Sequence, residues 1–259
     1  MDSGPSVGGA RMKWFSLGSL FSLLVFIFPL GLMAENYLCE ADALYDQGGI
    51  ENHKRSIDLY LKALEANTND YEANWKCARA HVSYAEEARK EKVEGWKDIC
   101  AKYGKEGMKY AQKAIEQGPN KPDGYYYYGL NVGIYSDGVS VFTALKEGLK
   151  DKTQRSFEKA YELDKTYDDA GPILALGRFW AVVPWPFKDK KKALKYYREY
   201  QATKYFAERD KGKIYLAELL LKLKGKENRA EAKALLEKVA QSDDKYFRDW
   251  ANRLLAKID

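Results

Sequence analysis

The chain has 259 residues, a formal net charge of +5 and a hydrophobic fraction of 46%, enough apolar material for one or two folded domains. Its excess positive charge is spread along the chain instead of forming a basic stripe, so nucleic acid is not an expected partner. The densest basic cluster, Lys188 to Lys192, has the composition of a solvated helix start.

The first predicted element is an apolar segment near the N-terminus. Arg11 and Lys13 precede the stretch Trp14 to Met33, which carries no charge, and Ala34 follows it. This order is typical of an export signal cleaved near the small residue, so we expect residues 1–34 to be an N-terminal extension and signal peptide. The expected location is therefore periplasmic. The alternative is an inner-membrane anchor formed by residues 14–33, because the run approaches the length that spans a bilayer.

Pairs of amphipathic helices are predicted along residues 35–259. In the second helix of each pair, a small residue, a large apolar residue and another small residue recur at spacings of four and three. This spacing is typical of tetratricopeptide (TPR) repeats, in which small residues let neighbouring helices pack closely. The copies are Ser56, Tyr60 and Ala63; Gly107, Ala111 and Ala114; Thr153, Phe157 and Ala160; Ala193 and Tyr197; and Ala232, Leu236 and Val239.

These repeats predict an all-α protein, a right-handed α-solenoid of about five TPR-like hairpins in which each hairpin packs on its neighbours. The middle repeats are long, because the interval from Ala63 to Ala114 far exceeds the ~34 residues of a standard repeat. We expect a kink at Gly148, an inserted loop over residues 183–187 and a C-terminal helix that caps the last hairpin. The hairpins are predicted to open near Asn36, Tyr71, Tyr125, Pro172 and Asp210.

The titratable residues do not form a catalytic pattern, and no metal or cofactor is expected. His53 and His81 lie on different repeats and are predicted to be ordinary surface or helix residues. The sequence has no glycine-rich phosphate loop or nucleophile elbow. The three cysteines match no zinc spacing and are predicted to be small buried residues, although export would permit a Cys39–Cys77 disulfide. The chain is therefore predicted to be non-enzymatic.

A binding groove is predicted on the concave surface that the first helices of the hairpins build. An apolar and aromatic lining with an arginine suits a ligand with a hydrocarbon body and a carboxylate, or a protein partner. The alternative is that these aromatic residues belong to the core and that Arg178 pairs with Asp168 or Asp169. The proposed groove residues are Lys76, Tyr84, Tyr126, Leu130, Ile134 and Arg178, with Trp185 as an exposed anchor in the inserted loop.

One combination of motifs resembles a known family over roughly residues 36–240. The motifs are Leu163-Asp164 with Tyr167, then Gly171-Pro172, Leu176-Gly177-Arg178 and a loop holding Pro184. Together they resemble the T component of tripartite ATP-independent periplasmic (TRAP) transporters. The related regulator-of-microtubule-dynamics family has similar long repeats, and the predicted export signal favours the transporter component.

The resemblance implies an exported accessory protein without catalytic residues. Such a protein would dock a periplasmic solute-binding protein and bind a hydrophobic organic acid, either as a monomer or as a homo-oligomer. The alternative function is a general envelope scaffold for protein–protein interaction, unrelated to transport.

Overall fold

The computed structural model describes residues 1–4 and 27–258, and within these ranges all regular structure is helical. The described residues form thirteen helices. In chain order they are α1 Ile27–Gln47, α2 Ile50–Ala66, α3 Tyr71–Glu91, α4 Trp96–Gln117, α5 Pro122–Gly138, α6 Val141–Lys146, α7 Leu149–Asp164, α8 Tyr167–Val182, α9 Lys190–Gln201, α10 Tyr205–Glu208, α11 Asp210–Leu223, α12 Lys226–Val239 and α13 Lys245–Leu255.

The helices pair into five antiparallel hairpins, and this confirms the predicted all-α solenoid. The hairpins are α1/α2, α3/α4, α5/α7, α8/α9 and α11/α12. Helix α13 packs on α11 and α12 and caps the last hairpin, as predicted. The short helices α6 and α10 are insertions; α6 was predicted only as the kink at Gly148, which has a φ of +64° and separates α6 from α7.

Close contact between glycines and aromatic rings sets the spacing of the helices. A Cβ atom at Gly177 of α8 would lie 2.5 Å from the ring of Tyr197 on α9. Gly129 of α5 faces Phe157 of α7 at the same distance. Phe157 and Tyr197 are the large apolar residues of the repeat pattern, and both are buried. The small–large–small spacing read from the sequence is therefore the packing contact within the third and fourth hairpins.

The prediction about the cysteines differs from the structure, and part of the predicted signal peptide lies outside the described residues. Cys39 is exposed, whereas Cys77 and Cys100 are buried, and all three are free thiols, so the prediction of three buried cysteines is wrong for Cys39. Residues 5–26 of the predicted N-terminal extension and signal peptide lie outside the described residues. The predicted cleavage point, Ala34, lies inside α1. Among the described helices, none has the length and apolar character needed to cross a membrane.

The packing contact at Gly177 gives a stability prediction with a matched control. We expect Gly177→Ala to lower the free energy of unfolding by about 1–3 kcal/mol, because the new methyl group overlaps the Tyr197 ring. Gly133 is also helical, in α5, and a Cβ there would meet nothing within 4 Å. Gly133→Ala should therefore raise stability by about 0.5–1 kcal/mol through the better helix propensity of alanine. Urea unfolding of both variants checks this, and equal effects of the two substitutions would contradict the packing.

Candidate functional site: the inner face

The first helices of the hairpins, together with α13, bring a set of charged and aromatic side chains face to face. We call this surface the inner face. In α3 its members Lys76, Arg79, Glu86 and Lys90 are spaced by three, seven and four residues, which places them on one side of the helix. The other members are Asp42 and Tyr45 of α1, Trp75 and Arg89 of α3, Tyr127 and Asp137 of α5, Asp168 and Arg178 of α8, Lys211, Tyr215 and Glu218 of α11, and Tyr246 and Trp250 of α13.

An ion pair across the inner face joins the second hairpin to the fifth. Lys211 Nζ lies 3.2 Å from Glu86 Oε1, although the two residues are 125 positions apart. Glu86 also lies 3.9 Å from both Arg89 and Lys90. Burial opposes ionisation of Glu86, but the charges of Lys211, Lys90 and Arg89 outweigh it and hold the pKa at about 2. In a simple solenoid each repeat contacts its neighbours, so this contact marks a chain that curls back on itself.

Arg79 lies at the end of the inner face next to the first hairpin. Its guanidinium carbon is 3.8 Å from the Tyr45 ring centroid and 5.1 Å from that of Trp75. Trp75 itself stacks on Tyr127 at 5.8 Å. Arg79 Nη2 donates to Tyr60 Oη at 3.3 Å, and the buried Nε has no hydrogen-bond partner among the described residues. Nη2 also lies 3.5 Å from Asp42 Oδ1, so the guanidinium is held by aromatic rings and an ion pair, and its Nε keeps unused donor capacity.

Arg178 occupies a similar setting near the other end of the inner face. It is a half-buried residue whose Nη1 donates to Glu218 Oε2 at 2.8 Å. Its guanidinium carbon lies 4.4 Å from the Tyr215 ring centroid and 5.9 Å from that of Trp250. Burial works against the charge, but Tyr215, Tyr197 and Glu218 outweigh it and raise the pKa of Arg178. Arg178 therefore pairs with a carboxylate, as the alternative prediction held, but the carboxylate is Glu218 and not Asp168 or Asp169.

A left-handed turn at the start of α8 presents a carboxylate to the inner face. Asp168, Asp169 and Ala170 have φ values of 49°, 57° and 60°, a conformation that costs non-glycine residues roughly 1–2 kcal/mol each. Asp169 pairs with Arg209, and Asp168 accepts a hydrogen bond from Tyr126. Burial raises the pKa of Asp168, and the Tyr126 hydrogen bond opposes that shift. The turn therefore keeps an acidic group among aromatic rings at the cost of local strain.

The structure brings some of the predicted groove residues together and leaves others apart. Lys76 lies on the inner face, where its Nζ is 2.5 Å from Asp42 Oδ2. Tyr126 and Ile134 are only 7% and 6% exposed, so they belong mainly to the core, and Leu130 is half-buried against it. Arg178 lies on the inner face.

Two predicted groove residues lie elsewhere. Tyr84 packs edge-on against Tyr103 of α4, with ring centroids 4.6 Å apart. Trp185 is 88% exposed, in the loop between α8 and α9.

Sequence reasoning missed Arg79, Glu86 and Lys211, which are central to the inner face. In α3 the predicted positions 76 and 84 are separated by two steps of four residues, so position 84 drifts away from the face that Lys76 occupies. A spacing alternating between three and four would have selected Arg79 and Glu86 from the same starting residue. Nothing in the sequence signals the approach of Lys211 to Glu86, because it depends on the curvature of the two intervening hairpins.

A cysteine, a histidine and a carboxylate do meet in the structure, which sequence spacing did not predict. His81 Nδ1 lies 3.6 Å from Cys77 Sγ and 2.8 Å from Cys77 O, and Nε2 lies 3.8 Å from Glu106. Both His81 and Cys77 are buried, contrary to the expectation of an ordinary surface or helix histidine. Burial raises the pKa of the Cys77 thiol well above its usual value. The thiol is therefore neutral and shielded from solvent, which does not suit a nucleophile.

The Glu86 cluster predicts a pH-dependent stability. A carboxylate with a depressed pKa stabilises the fold above its unfolded value of about 4.5, and this contribution is lost as the pH falls toward 2. At pH 7, Glu86→Gln should lower the free energy of unfolding by about 1–3 kcal/mol, because it leaves three cations close together. The difference from the native protein should shrink as the pH is lowered from 5 to 2. Glu91→Gln, at an exposed site in the same helix, is the control; a pH-independent difference for Glu86→Gln would contradict the ion cluster.

Known proteins resemble this chain in both sequence and fold. One solved structure that superimposes on it is TTC0263, a thermophilic TPR protein of Thermus thermophilus, with 18% identity and a TM-score of 0.61 over 86% of this chain and 99% of that one. MamA protein has 15% identity and a TM-score of 0.47, with 88% and 96% coverage of this chain and that one. YrrB, a TPR protein with an unusual peptide-binding site, has 17% identity and a TM-score of 0.44, with 83% and 90% coverage.

The similarity to TTC0263 shows the TPR helical-repeat fold. No curated protein sequence matches the chain. The family model described as "Regulator of microtubule dynamics protein 1-3" matches residues 37–184, which is more than half of the chain and runs from α1 to the end of α8. The chain therefore belongs to the regulator of microtubule dynamics protein 1-3 family.

Proposed function

We propose that this protein is a non-enzymatic scaffold that binds a segment of a partner protein along its inner face. The observation that carries the proposal is the pair of arginines stacked on aromatic rings, Arg79 on Tyr45 and Trp75, and Arg178 on Tyr215. Arginine, tyrosine and tryptophan dominate the energetics of protein interfaces, and rings that fix a guanidinium lower the entropy lost on binding.

The character of the inner face favours a protein segment over a hydrophobic organic acid. A small apolar ligand needs a cavity with an apolar lining and few polar groups. Instead, cations and carboxylates alternate along the inner face, as in the cluster of Glu86, Lys211, Arg89 and Asp137. Two cavities, of about 410 and 300 Å³, lie elsewhere, one among α4, α5 and α7 and one among α1, α2 and α3. A peptide that exchanges these ion pairs for its own fits the surface better.

Two kinds of partner follow from different observations. The motifs from Leu163 to Pro184 support a TRAP-type periplasmic solute-binding protein, and with it an exported protein. Membership of the regulator of microtubule dynamics family supports a microtubule-associated partner. The second candidate rests on the name of a family to which the chain belongs, whereas the first rests on resemblance alone, so we favour a cytoskeletal scaffold over a transport component.

Substitutions that keep charge but remove stacking test the inner face. Arg79→Lys and Arg178→Lys retain a cation but lose the planar group that stacks on aromatic rings and forms paired hydrogen bonds. We expect each to weaken binding of the partner by roughly fivefold to tenfold, in keeping with a cation–π contribution of about 1 kcal/mol. Arg155→Lys, at an exposed site of α7, is the control and should bind as the native protein does.

The measurement has two arms. Affinity capture with the full chain, followed by titration of the purified captured protein, gives the effect of each variant. Co-sedimentation with microtubules tests the cytoskeletal candidate directly, and capture of a solute-binding protein tests the transport candidate. Normal binding by both folded lysine variants would mean that the partner surface lies outside the inner face.

A further inference from the structure

Helix α6 exposes its apolar side chains to solvent. All six of its residues are exposed or half-buried, and Val141, Phe142 and Leu145 are 68%, 76% and 63% exposed. The helix is attached through Ala144, which packs against the cluster of Val132, Tyr135 and Leu149. A surface helix of a soluble protein normally directs its polar residues outward, so this arrangement is inverted.

The loop between α8 and α9 adds aromatic side chains to the same edge of the solenoid. Trp185 is 88% exposed and Phe187 is 43% exposed. Helix α6 and this loop both connect the first helix of a hairpin to the second, in adjacent hairpins, and such connections lie along one edge. Lys150 at the start of α7 ties them together, because its Nζ lies 5.1 Å from the Phe187 ring centroid. We call Val141, Phe142, Leu145, Trp185 and Phe187 the edge patch.

The two segments that carry the edge patch are rich in lysine. Segments 141–152 and 182–192 together contain seven lysines and three acidic residues. Each of those acids is already engaged with the protein: Glu147 accepts from Tyr135 Oη, Asp151 from Lys150 Nζ, and Asp189 from the backbone amides that begin α9. Because lysines outnumber acidic residues by seven to three in these segments, the electrostatic field at the patch is positive.

We propose that the edge patch docks the protein on the surface of a membrane that contains anionic lipids. Tryptophan and phenylalanine side chains insert at the boundary between head groups and acyl chains, while lysines around them attract anionic head groups. An exposed apolar patch alone would suit many partners, but the excess of lysines in the same segments favours a negatively charged surface. The proposal is independent of the inner face, which remains open to a protein partner.

Local protection from hydrogen exchange tests the proposal in the full chain. The test uses vesicles that contain about 30 mol% phosphatidylserine. With them, the backbone amides of residues 141–147 and of 185, 187 and 188 should exchange at least roughly tenfold more slowly than without vesicles. Vesicles of phosphatidylcholine alone should give little protection, and about 0.5 M salt should remove most of the effect by screening. All variants contain the uncharged stretch 14–33, which is the alternative membrane anchor. The test of the edge patch is therefore local exchange at the two segments, not total binding to vesicles.

Two sets of substitutions separate the apolar and the electrostatic contributions. The combined change Phe142→Ser, Leu145→Ser and Trp185→Ser should abolish the protection, and it removes only exposed side chains. Lys188→Glu with Lys191→Glu should reduce vesicle-dependent protection at least fivefold. Lys226→Glu with Lys238→Glu, at exposed positions of α12, is the matched charge control and should leave the protection unchanged.

Three kinds of outcome would overturn the proposal. The first is unchanged exchange at both segments on anionic vesicles. The second is equal protection on neutral and anionic vesicles, or protection that survives the triple substitution. The third is protection that develops with protein concentration in the absence of lipid, which would assign the edge patch to contacts between copies of this chain.

Discussion

The structure depends on how closely the two helices of each hairpin approach. Gly177 against Tyr197 and Gly129 against Phe157 repeat one contact, in which an aromatic ring occupies the space that a Cβ atom would take. Each contact fixes the distance between two helix axes, and the small differences from hairpin to hairpin accumulate into curvature. The inner face exists because this curvature brings α3 within ion-pair distance of α11.

The ion cluster on the inner face then constrains the curvature that produced it. Glu86 forms ion pairs with Lys211, Arg89 and Lys90. Lys90 Nζ also lies 5.6 Å from the ring centroid of Tyr246 in α13. These contacts link the second hairpin to the fifth and to the capping helix. A partner that takes over any of these charges would loosen that link. Binding at the inner face and the curvature of the solenoid are therefore coupled in this arrangement.

The sequence predicted the fold well and the binding surface only in part. Hairpin boundaries such as Tyr71 and Asp210 follow from local signals, namely helix periodicity, turn glycines and the small–large–small contact, and all of these act within one hairpin. The inner face is a contact between hairpins that are distant in sequence, so local spacing identified Lys76 and Arg178 but missed Glu86 and Lys211. Tyr126 and Ile134 were assigned to the groove because periodicity alone does not separate a lining residue from a core residue.

The two insertions between paired helices have a common location, and this gives them a common explanation. Helix α6 follows the first helix of the third hairpin, and residues 183–189 follow the first helix of the fourth, so both insertions project from the same edge. A longer connection that served packing would bury its apolar side chains, as Leu149 does immediately after α6. Phe142 and Trp185 remain exposed instead, next to lysines whose charges repel one another. Retaining apolar and like-charged groups side by side in water is unfavourable unless something with complementary charge and an apolar interior covers them. These two insertions are thus better explained by a surface outside the protein than by the stability of the solenoid.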